Sequence, residues 1–294
     1  MYKKKILILG ATGMLGHTLM VYLSKNKKIE VLGTVRKFEL IKMYKKFNYK
    51  LIKLDASNFS NLEKNIERIK PDYIINCVGI IKQKITDSMK NKIYLINSVL
   101  PNFLNFLSLK NNFNLIHIST DCVFNGKSGN SDEKKKPNAI DIYGLSKFKG
   151  EVFSANTLTL RTSIIGHELG TSHSFLEWFL NSKGSVQGYK KAFFSGLTTL
   201  ELSKFIEKIL FKKFEGGLFN LGGDKISKLA LLYKIKEIYG KDDSIYSVNN
   251  FKIDRSLNSF KFYNHFKFKK KSWKKMLKDL NQFYLKNKNF YENF

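Results

Sequence analysis

Lys5-Ile-Leu-Ile-Leu-Gly10-Ala-Thr-Gly13-Met-Leu-Gly16 decides how the chain folds. Four apolar residues bounded by Lys5 and Gly10 read as a short, fully buried strand. Leu19, Val21, Tyr22 and Leu23 then continue the pattern as a helix. Strand, glycine turn and helix in that order turn a glycine spacing into a dinucleotide motif. Its glycines permit a tight turn and a close approach of backbone to pyrophosphate, which rests on the helix N-terminus. The spacing here is Gly-x-x-Gly-x-x-Gly, not Gly-x-Gly-x-x-Gly. On this reading Gly10, Thr12, Gly13, Met14, Leu15 and Gly16 line a phosphate-bearing cofactor.

Working outward, a second strand from Glu30 to Val35 runs into Arg36 and Lys37. A site preferring NAD offers an acidic side chain near this point for the ribose 2′-hydroxyl. Arg36 and Lys37 suit a 2′-phosphate instead, so NADPH is the expected cofactor and NADH the alternative. A helix at 38–47, a strand at 49–54 ending in Asp55, a helix at 60–69, a strand at 73–78, a helical stretch at 88–109 and a strand at 114–118 follow. Such alternation predicts an α/β fold with a doubly wound parallel sheet of Rossmann type. Functional groups collect at the carboxyl ends of its strands, where Asp55, Asn76 and Ser119-Thr120-Asp121 fall. A helix carrying residue 143 is expected to run to about Ala155, with a strand at 158–161 beyond it. From Gly166 the alternation is less regular, with helices at 174–181, 201–211 and 228–239 and a strand and turn at Phe219-Asn-Leu221. The expected division is a dinucleotide-binding domain over 1–165 and a smaller α/β substrate-binding part over 166–294, with segments interleaved. No Gly/Ser- or Pro-rich linker separates them.

Tyr143-Gly-Leu-Ser-Lys147 carries the chemistry. On a helix, residues four apart stand on one face, one turn apart. An ammonium held beside a phenol favours the phenolate and draws its pKa down from about 10. Such a tyrosine can pass a proton to or from a carbonyl or hydroxyl oxygen near neutral pH. Tyr-x-x-x-Lys is also common by chance, and alone it describes two solvated residues. Its weight comes from its companions.

Composition excludes several classes. With 43% hydrophobic and 14% aromatic residues over 294 positions, the chain can bury a substantial core. No apolar run approaches the roughly 18 residues of a membrane span. The basic start and short Ile6–Leu9 run lack the cleavage site of a secretory signal, so a cytoplasmic protein is expected. Cys77 and Cys122 lack any CxxC or Cys/His spacing, which argues against disulfides and structural zinc and for two small buried hydrophobes. His17, His117, His167, His173 and His265 have no ligand spacing, so no metal site is expected. The net charge of +28 comes from scattered lysines, with only Lys267 to Lys275 dense. No helix-turn-helix, finger or RNP-like aromatic pattern accompanies them, so specific nucleic-acid binding is not expected.

In chain order, the glycine motif, Asp55, Asn76, Ser119-Thr120-Asp121 and Tyr143-x-x-x-Lys147 resemble an extended short-chain dehydrogenase/reductase. Ile118-Ser-Thr-Asp-Cys-Val-Phe-Asn-Gly126 is similar to the Ser-Thr-Asp-Tyr-Val-Phe-x-Gly signature of the dTDP-4-dehydrorhamnose reductases, with Cys122 in the Tyr position. Asn138 to Glu151, Leu160-Arg-Thr-Ser163, Asp254 to Ser259 and Ser272 to Leu277 resemble further segments of that family. The resemblance implies NADP(H)-dependent reduction of a nucleotide-linked 4-keto-6-deoxy sugar, most directly the last step of dTDP-L-rhamnose synthesis. It implies that Thr120 bonds the substrate oxygen, Tyr143 donates the proton, and Lys147 holds the nicotinamide ribose and polarises Tyr143. Asp121 would touch the sugar, Asp55 and Ala56 the adenine end, and Val78 and Gly79 the length of the cofactor. Magnesium and a homodimer enter only through the resemblance.

Departures from the family pattern fall at Gly196-Leu-Thr-Thr199, which lacks the usual proline, and at Asn76-Cys-Val-Gly79. They bear on the sugar more than on the reaction. Arg161 is read as structural, and Trp178 with its aromatic neighbours as core. A 4,6-dehydratase would carry Asp-Glu after the Thr, where this chain has Asp121-Cys122. A reductase or epimerase of a UDP-linked sugar remains the nearest alternative. A non-catalytic NADP-binding subunit, resembling the beta subunit of methionine adenosyltransferase, is the alternative outside enzymes.

Overall fold

A computed structural model describes residues 2–294. The first strand, β1 (Lys4–Leu9), has Ile6, Leu7, Ile8 and Leu9 fully buried, as a central strand of a covered parallel sheet requires. The chain continues through α1 (Met14–Leu23), β2 (Ile29–Val35), α2 (Glu39–Lys45), β3 (Lys50–Lys53), α3 (Phe59–Ile69), β4 (Tyr73–Asn76), α4 (Lys90–Tyr94), α5 (Leu100–Asn111), β5 (Asn114–Thr120), α6 (Ile142–Lys149) and β6 (Thr157–Thr162). Then come β7 (Ile164–Ile165), α7 (Phe175–Asn181), β8 (Ser185–Phe194), β9 (Leu197–Thr198), α8 (Thr199–Leu210), β10 (Gly217–Asn220), β11 (Ile226–Ser227), α9 (Lys228–Tyr239), β12 (Ser244–Asp254), α10 (Phe260–Phe266), α11 (Trp273–Lys286) and α12 (Lys288–Tyr291).

Seven strands form one sheet in the order β10-β6-β5-β4-β1-β2-β3. β1 pairs in parallel with both β2 and β4, β2 with β3, and β4 with β5. The order turns back on itself between β1 and β4, so a crevice opens at the carboxyl ends of those strands. Leu7, Leu9, Ile74 and Leu115 pack against Leu62 and Ile66 of α3 and Leu100, Leu104 and Leu107 of α5. Each such side chain fully buried contributes about 1.5–3 kcal/mol. The α/β class and parallel sheet expected from the sequence are therefore found.

Contacts within the chain define two discontinuous units. The first comprises Met1–Thr120, Ile140–Leu160 and Ile206–Leu218, and the second Asp121–Ala139, Arg161–Phe205 and Phe219–Phe294. In the second, β11, β8 and β12 form a three-stranded sheet, with β8 antiparallel to β11 and parallel to β12. Among the described residues no helix is long and apolar enough to cross a membrane.

One local expectation needs correcting. α6 ends at Lys149, not near Ala155. Gly150 closes it, and any side chain there would stand 1.9 Å from the Asn97 carbonyl oxygen. The helical stretch expected over 88–109 is found, running through α4, a π-helical turn at Leu95–Val99 and α5.

Candidate active site

The glycine turn is shaped by backbone contacts. Gly10 has φ +79°, the left-handed region that glycine enters at little cost. A Cβ on Gly16 would lie 2.1 Å from the Gly10 carbonyl oxygen, so the first turn of α1 presses on the loop's own backbone. Gly13 differs: the nearest atom to a Cβ there is the Gly10 oxygen, at an ordinary 3.5 Å. Internal packing does not demand a glycine at this exposed position, whereas an approaching phosphate would. The loop is held by the Gly10 amide donating to Thr34 Oγ1 at 3.1 Å and by the Tyr44 hydroxyl donating to the Ala11 carbonyl at 2.8 Å. No side chain caps α1, and its first turn has no acidic residue. Its first amides therefore suit an anion. Leu15 and Gly16 are buried and can offer backbone only, while Thr12 and Met14 are half-buried.

At the outer end of the crevice, Arg36 and Asp55 are exposed just past β2 and β3. The Asp55 carboxylate accepts from the Ser57 amide at 2.9 Å and hydroxyl at 2.7 Å. Burial works to raise its pKa, but the Ser57 bonds, followed by the charges of Arg36 and Lys92, hold it below the usual range. Ala56 is buried, Val78 half-buried and Gly79 exposed. Val78 also touches the turn, because a Cβ on Gly10 would meet its Cγ2 at 3.0 Å.

α6 begins at Asp141, whose carboxylate accepts from the Gly144 amide at 2.8 Å. The cap starts the helix just before Tyr143 and sets Tyr143 and Lys147 on one face. Tyr143 is half-buried; Lys147 is buried, and its Nζ donates to the Ile118 carbonyl oxygen at 2.8 Å. That contact brings the ammonium to the carboxyl end of β5, whose last residue is Thr120. Burial lowers the Lys147 pKa from 10.5 to about 8, against upward pulls from Glu151 and Cys77. Cys77 directly follows β4. Gly10, Val78, Cys77, Lys147 and Ile118 thus form a continuous row along the carboxyl ends of β1, β4 and β5.

The buried Lys147 makes the fold sensitive to pH in a definite direction. Its native pKa lies below its unfolded value, so the unfolded chain binds more protons and stability rises with pH. Each pKa unit is worth about 1.4 kcal/mol, so the buried ammonium costs the fold about 3 kcal/mol, relieved as pH climbs from about 8 to about 10.5. Because the raised Cys77 pKa works the other way above about pH 9, the test is the difference: urea-unfolding stability of the native chain should gain about 3 kcal/mol relative to Lys147→Met across that range.

Neighbouring groups have simpler roles. Burial pushes the Cys77 thiol up to about 12, which leaves it unreactive near neutral pH. Taken as whole residues both cysteines are half-buried, with the Cys77 thiol itself inside, as expected of a small buried hydrophobe. His117 is fully buried, and burial with the Lys147 charge holds it well below the usual range, so it is neutral. Asn76 Oδ1 accepts from the Val78 amide at 3.1 Å, so its NH2 faces His117 Nδ1 at 3.2 Å. Asn76 is thereby committed to holding the strand end. Asp121 and Thr120 are both buried. Trp178, expected in the core, is 43% exposed. Among the described residues, no group of three or more His, Cys, Asp or Glu side chains is placed to hold a metal ion.

Asn97 and Ser146 were not singled out from the sequence. Asn97 sits fully buried in the π-helical turn. Its Oδ1 accepts from the Ile80 amide at 2.8 Å, and its Nδ2 donates to the Ile80 carbonyl at 3.0 Å and Ser146 Oγ at 3.1 Å. Ser146 Oγ donates in turn to the Tyr143 carbonyl at 2.9 Å. The turn therefore fixes both the loop after β4 and the helix bearing Tyr143. A polar Asn-Ser pair inside Leu95-Ile-Asn-Ser-Val99 was the available signal. Asn97→Leu, which strands the Ile80 amide and carbonyl, should cost about 2–4 kcal/mol. Thermal melting is the measurement that checks it.

The chain is 29% identical over 173 residues to the dTDP-4-dehydrorhamnose reductase of Aggregatibacter actinomycetemcomitans, covering 57% of this chain and 54% of that protein. It is 32% identical over 148 residues to the methionine adenosyltransferase 2 subunit beta of Xenopus tropicalis, covering 50% and 42% respectively. The matches thus span about half the length of these curated relatives. A crystal structure described as a hypothetical dTDP-4-dehydrorhamnose reductase from Sulfolobus tokodaii superposes with a TM-score of 0.73 at 29% identity, covering 88% of this chain and 94% of that one. The model of the RmlD substrate binding domain matches residues 4–187, more than half of the sequence, and the chain belongs to that family.

Proposed function

We propose that the chain is an NADP(H)-dependent reductase of the 4-keto group of a nucleotide-linked 4-keto-6-deoxy sugar, with dTDP-4-dehydrorhamnose as substrate. The observation that carries this reading is the Lys147 ammonium bonded to the Ile118 carbonyl, two residues before Thr120. It holds a buried cation on the helix face that also carries Tyr143, one turn away, at the crevice of a glycine turn suited to phosphate. The bound nicotinamide supplies the hydride. The residues around it hold the cofactor and manage charge on the substrate oxygen. The backbone of Gly10 to Gly16 takes the pyrophosphate, Arg36 the 2′-phosphate, Asp55 and Ala56 the adenine end, and Val78 and Gly79 the cofactor's flank.

Reduction of a carbonyl leaves negative charge on its oxygen. The Thr120 and Tyr143 hydroxyls stabilise that charge by donating to it, and Tyr143 passes its proton across. Lys147 favours the phenolate left behind. Asp121, next in sequence to Thr120, contacts the sugar. The reading carries with it a cytoplasmic enzyme of cell-surface polysaccharide synthesis.

NADPH consumption measured with dTDP-4-keto-6-deoxy-L-mannose, against UDP-linked 4-keto sugars, tests this directly. Turnover with the dTDP sugar alone supports the full reading, and turnover with UDP sugars moves the substrate. Cofactor binding with no keto sugar reduced would favour a non-catalytic, NADP-binding subunit over an enzyme.

A further inference from the structure

A buried ammonium gives up its proton readily unless something nearby favours its charge. Lys147 is buried, and its Nζ donates at 2.8 Å to a neutral acceptor, the Ile118 carbonyl oxygen. A neutral carbonyl stabilises a desolvated cation less than a carboxylate does. Whether Lys147 stays charged therefore depends on what else faces it.

The titratable groups around it are Tyr143, one turn back on α6, Glu151 just beyond α6, Cys77 after β4 and His117 in β5. Burial lowers the Lys147 pKa to about 8, while Glu151, and less strongly Cys77, pull it upward. Burial pushes the Cys77 thiol up to about 12, so it carries no charge near neutral pH. His117 is held neutral by its own burial and by Lys147. The Glu151 carboxylate is left as the anion that opposes the cost of burial.

The fold holds that carboxylate in place. α6 stops at Lys149, and Gly150 closes it against the Asn97 carbonyl oxygen. The Glu151 amide then donates to the Phe148 carbonyl at 3.0 Å, which keeps the chain curled on the helix end. Ser119, buried in β5, donates its hydroxyl to Glu151 Oε1 at 2.8 Å. Ser119 directly follows Ile118, so consecutive residues of one strand hold the ammonium and the carboxylate. The carbonyls at a helix C-terminus disfavour a negative charge, so Glu151 sits there against local preference. Its placement serves the cation inside.

We propose that Glu151 is a positioning residue for the reaction: its carboxylate, aimed by Ser119, keeps Lys147 an ammonium and so keeps Tyr143 able to release its proton. The assignment rests on the reading that Tyr143 and Lys147 carry out a reduction. It adds to that pair a carboxylate that sets the pH range over which it works.

Glu151→Gln tests this, because the amide keeps an oxygen for Ser119 and removes only the charge. Losing an opposite charge should move the Lys147 pKa down by about one unit. kcat/KM for NADPH, which reports the free enzyme, should then match wild type within about twofold at pH 6 and fall about 10-fold below it at pH 9. Equal losses at both pH values would make Glu151 merely structural and overturn the proposal. Lys147 can also be read without a substrate. Relative to the matching Lys147→Met chain, stability in urea rises with pH from the native Lys147 pKa upward, so its onset should move from about pH 8 to about pH 7 in Glu151→Gln. Ser119→Ala, which frees the carboxylate from its anchor, should move the onset the same way and serves if Glu151→Gln does not fold. An unmoved onset in Glu151→Gln, or in Ser119→Ala if only that variant folds, overturns the proposal. A moved onset in a chain that reduces no keto sugar would sustain the pairing of Glu151 with Lys147 and reject the reductase.

Discussion

Replacing Tyr143 by Phe is expected to lower kcat about 1,000-fold, within the range for a lost general acid, while NADPH affinity stays within about twofold. The substitution removes one oxygen and keeps the ring, so the half-buried side chain still packs. The Asp141 cap acts on the Gly144 amide and the Lys147 bond on the Ile118 carbonyl, and neither involves the phenol. The proposed cofactor cradle, from Gly10 to Gly16, is likewise untouched. Steady-state turnover and NADPH titration on one preparation separate the two effects. A variant retaining more than a tenth of the turnover would show that another group delivers the proton.

The second large effect lies in the glycine turn and takes opposite forms at two positions. Gly16→Ala sets a methyl 2.1 Å from the Gly10 carbonyl oxygen and 3.0 Å from the Ala11 Cα. Both neighbours are backbone, already held by bonds to Thr34 and Tyr44, so neither can give way cheaply. The fold should lose about 3 kcal/mol or more, and NADPH binding with it. Gly13→Ala meets only an ordinary 3.5 Å contact at φ −72°, so thermal stability should stay within about 2 °C. NADPH affinity should nevertheless fall about 10-fold or more, because the methyl occupies the space a pyrophosphate needs. Equal NADPH affinity in Gly13→Ala and wild type would mean that phosphate does not lie on this turn.

The sequence exposed what depends on local pattern. β1 was legible because four apolar residues end in a glycine turn, and α6 because Tyr143 and Lys147 need a helix to act together. The π-helical turn was hidden because Leu95 to Val99 has the composition of ordinary helix; only tertiary bonds from Asn97 to Ile80 and Ser146 give it its shape. β12 was missed because most of its residues are exposed and its apolar alternation is faint. What holds it is pairing with β8, some sixty residues earlier, through a register shift between Val248 and Lys252. Trp178 was misread because an aromatic cluster near a helix looks like core until its exposure is known.

The path of the chain also governs how it can be divided. The backbone changes unit five times, and β10, which pairs at the sheet edge with β6, is drawn from residues 217–220. A fragment cut at 165, where periodicity fades, or at 187, where the family match ends, would therefore lack a strand of its own sheet. Its β6 would be left with bare amides and carbonyls, an invitation to pair with another copy. Trimmed expression of either half should thus yield aggregate, and work on this protein is best done on the intact polypeptide.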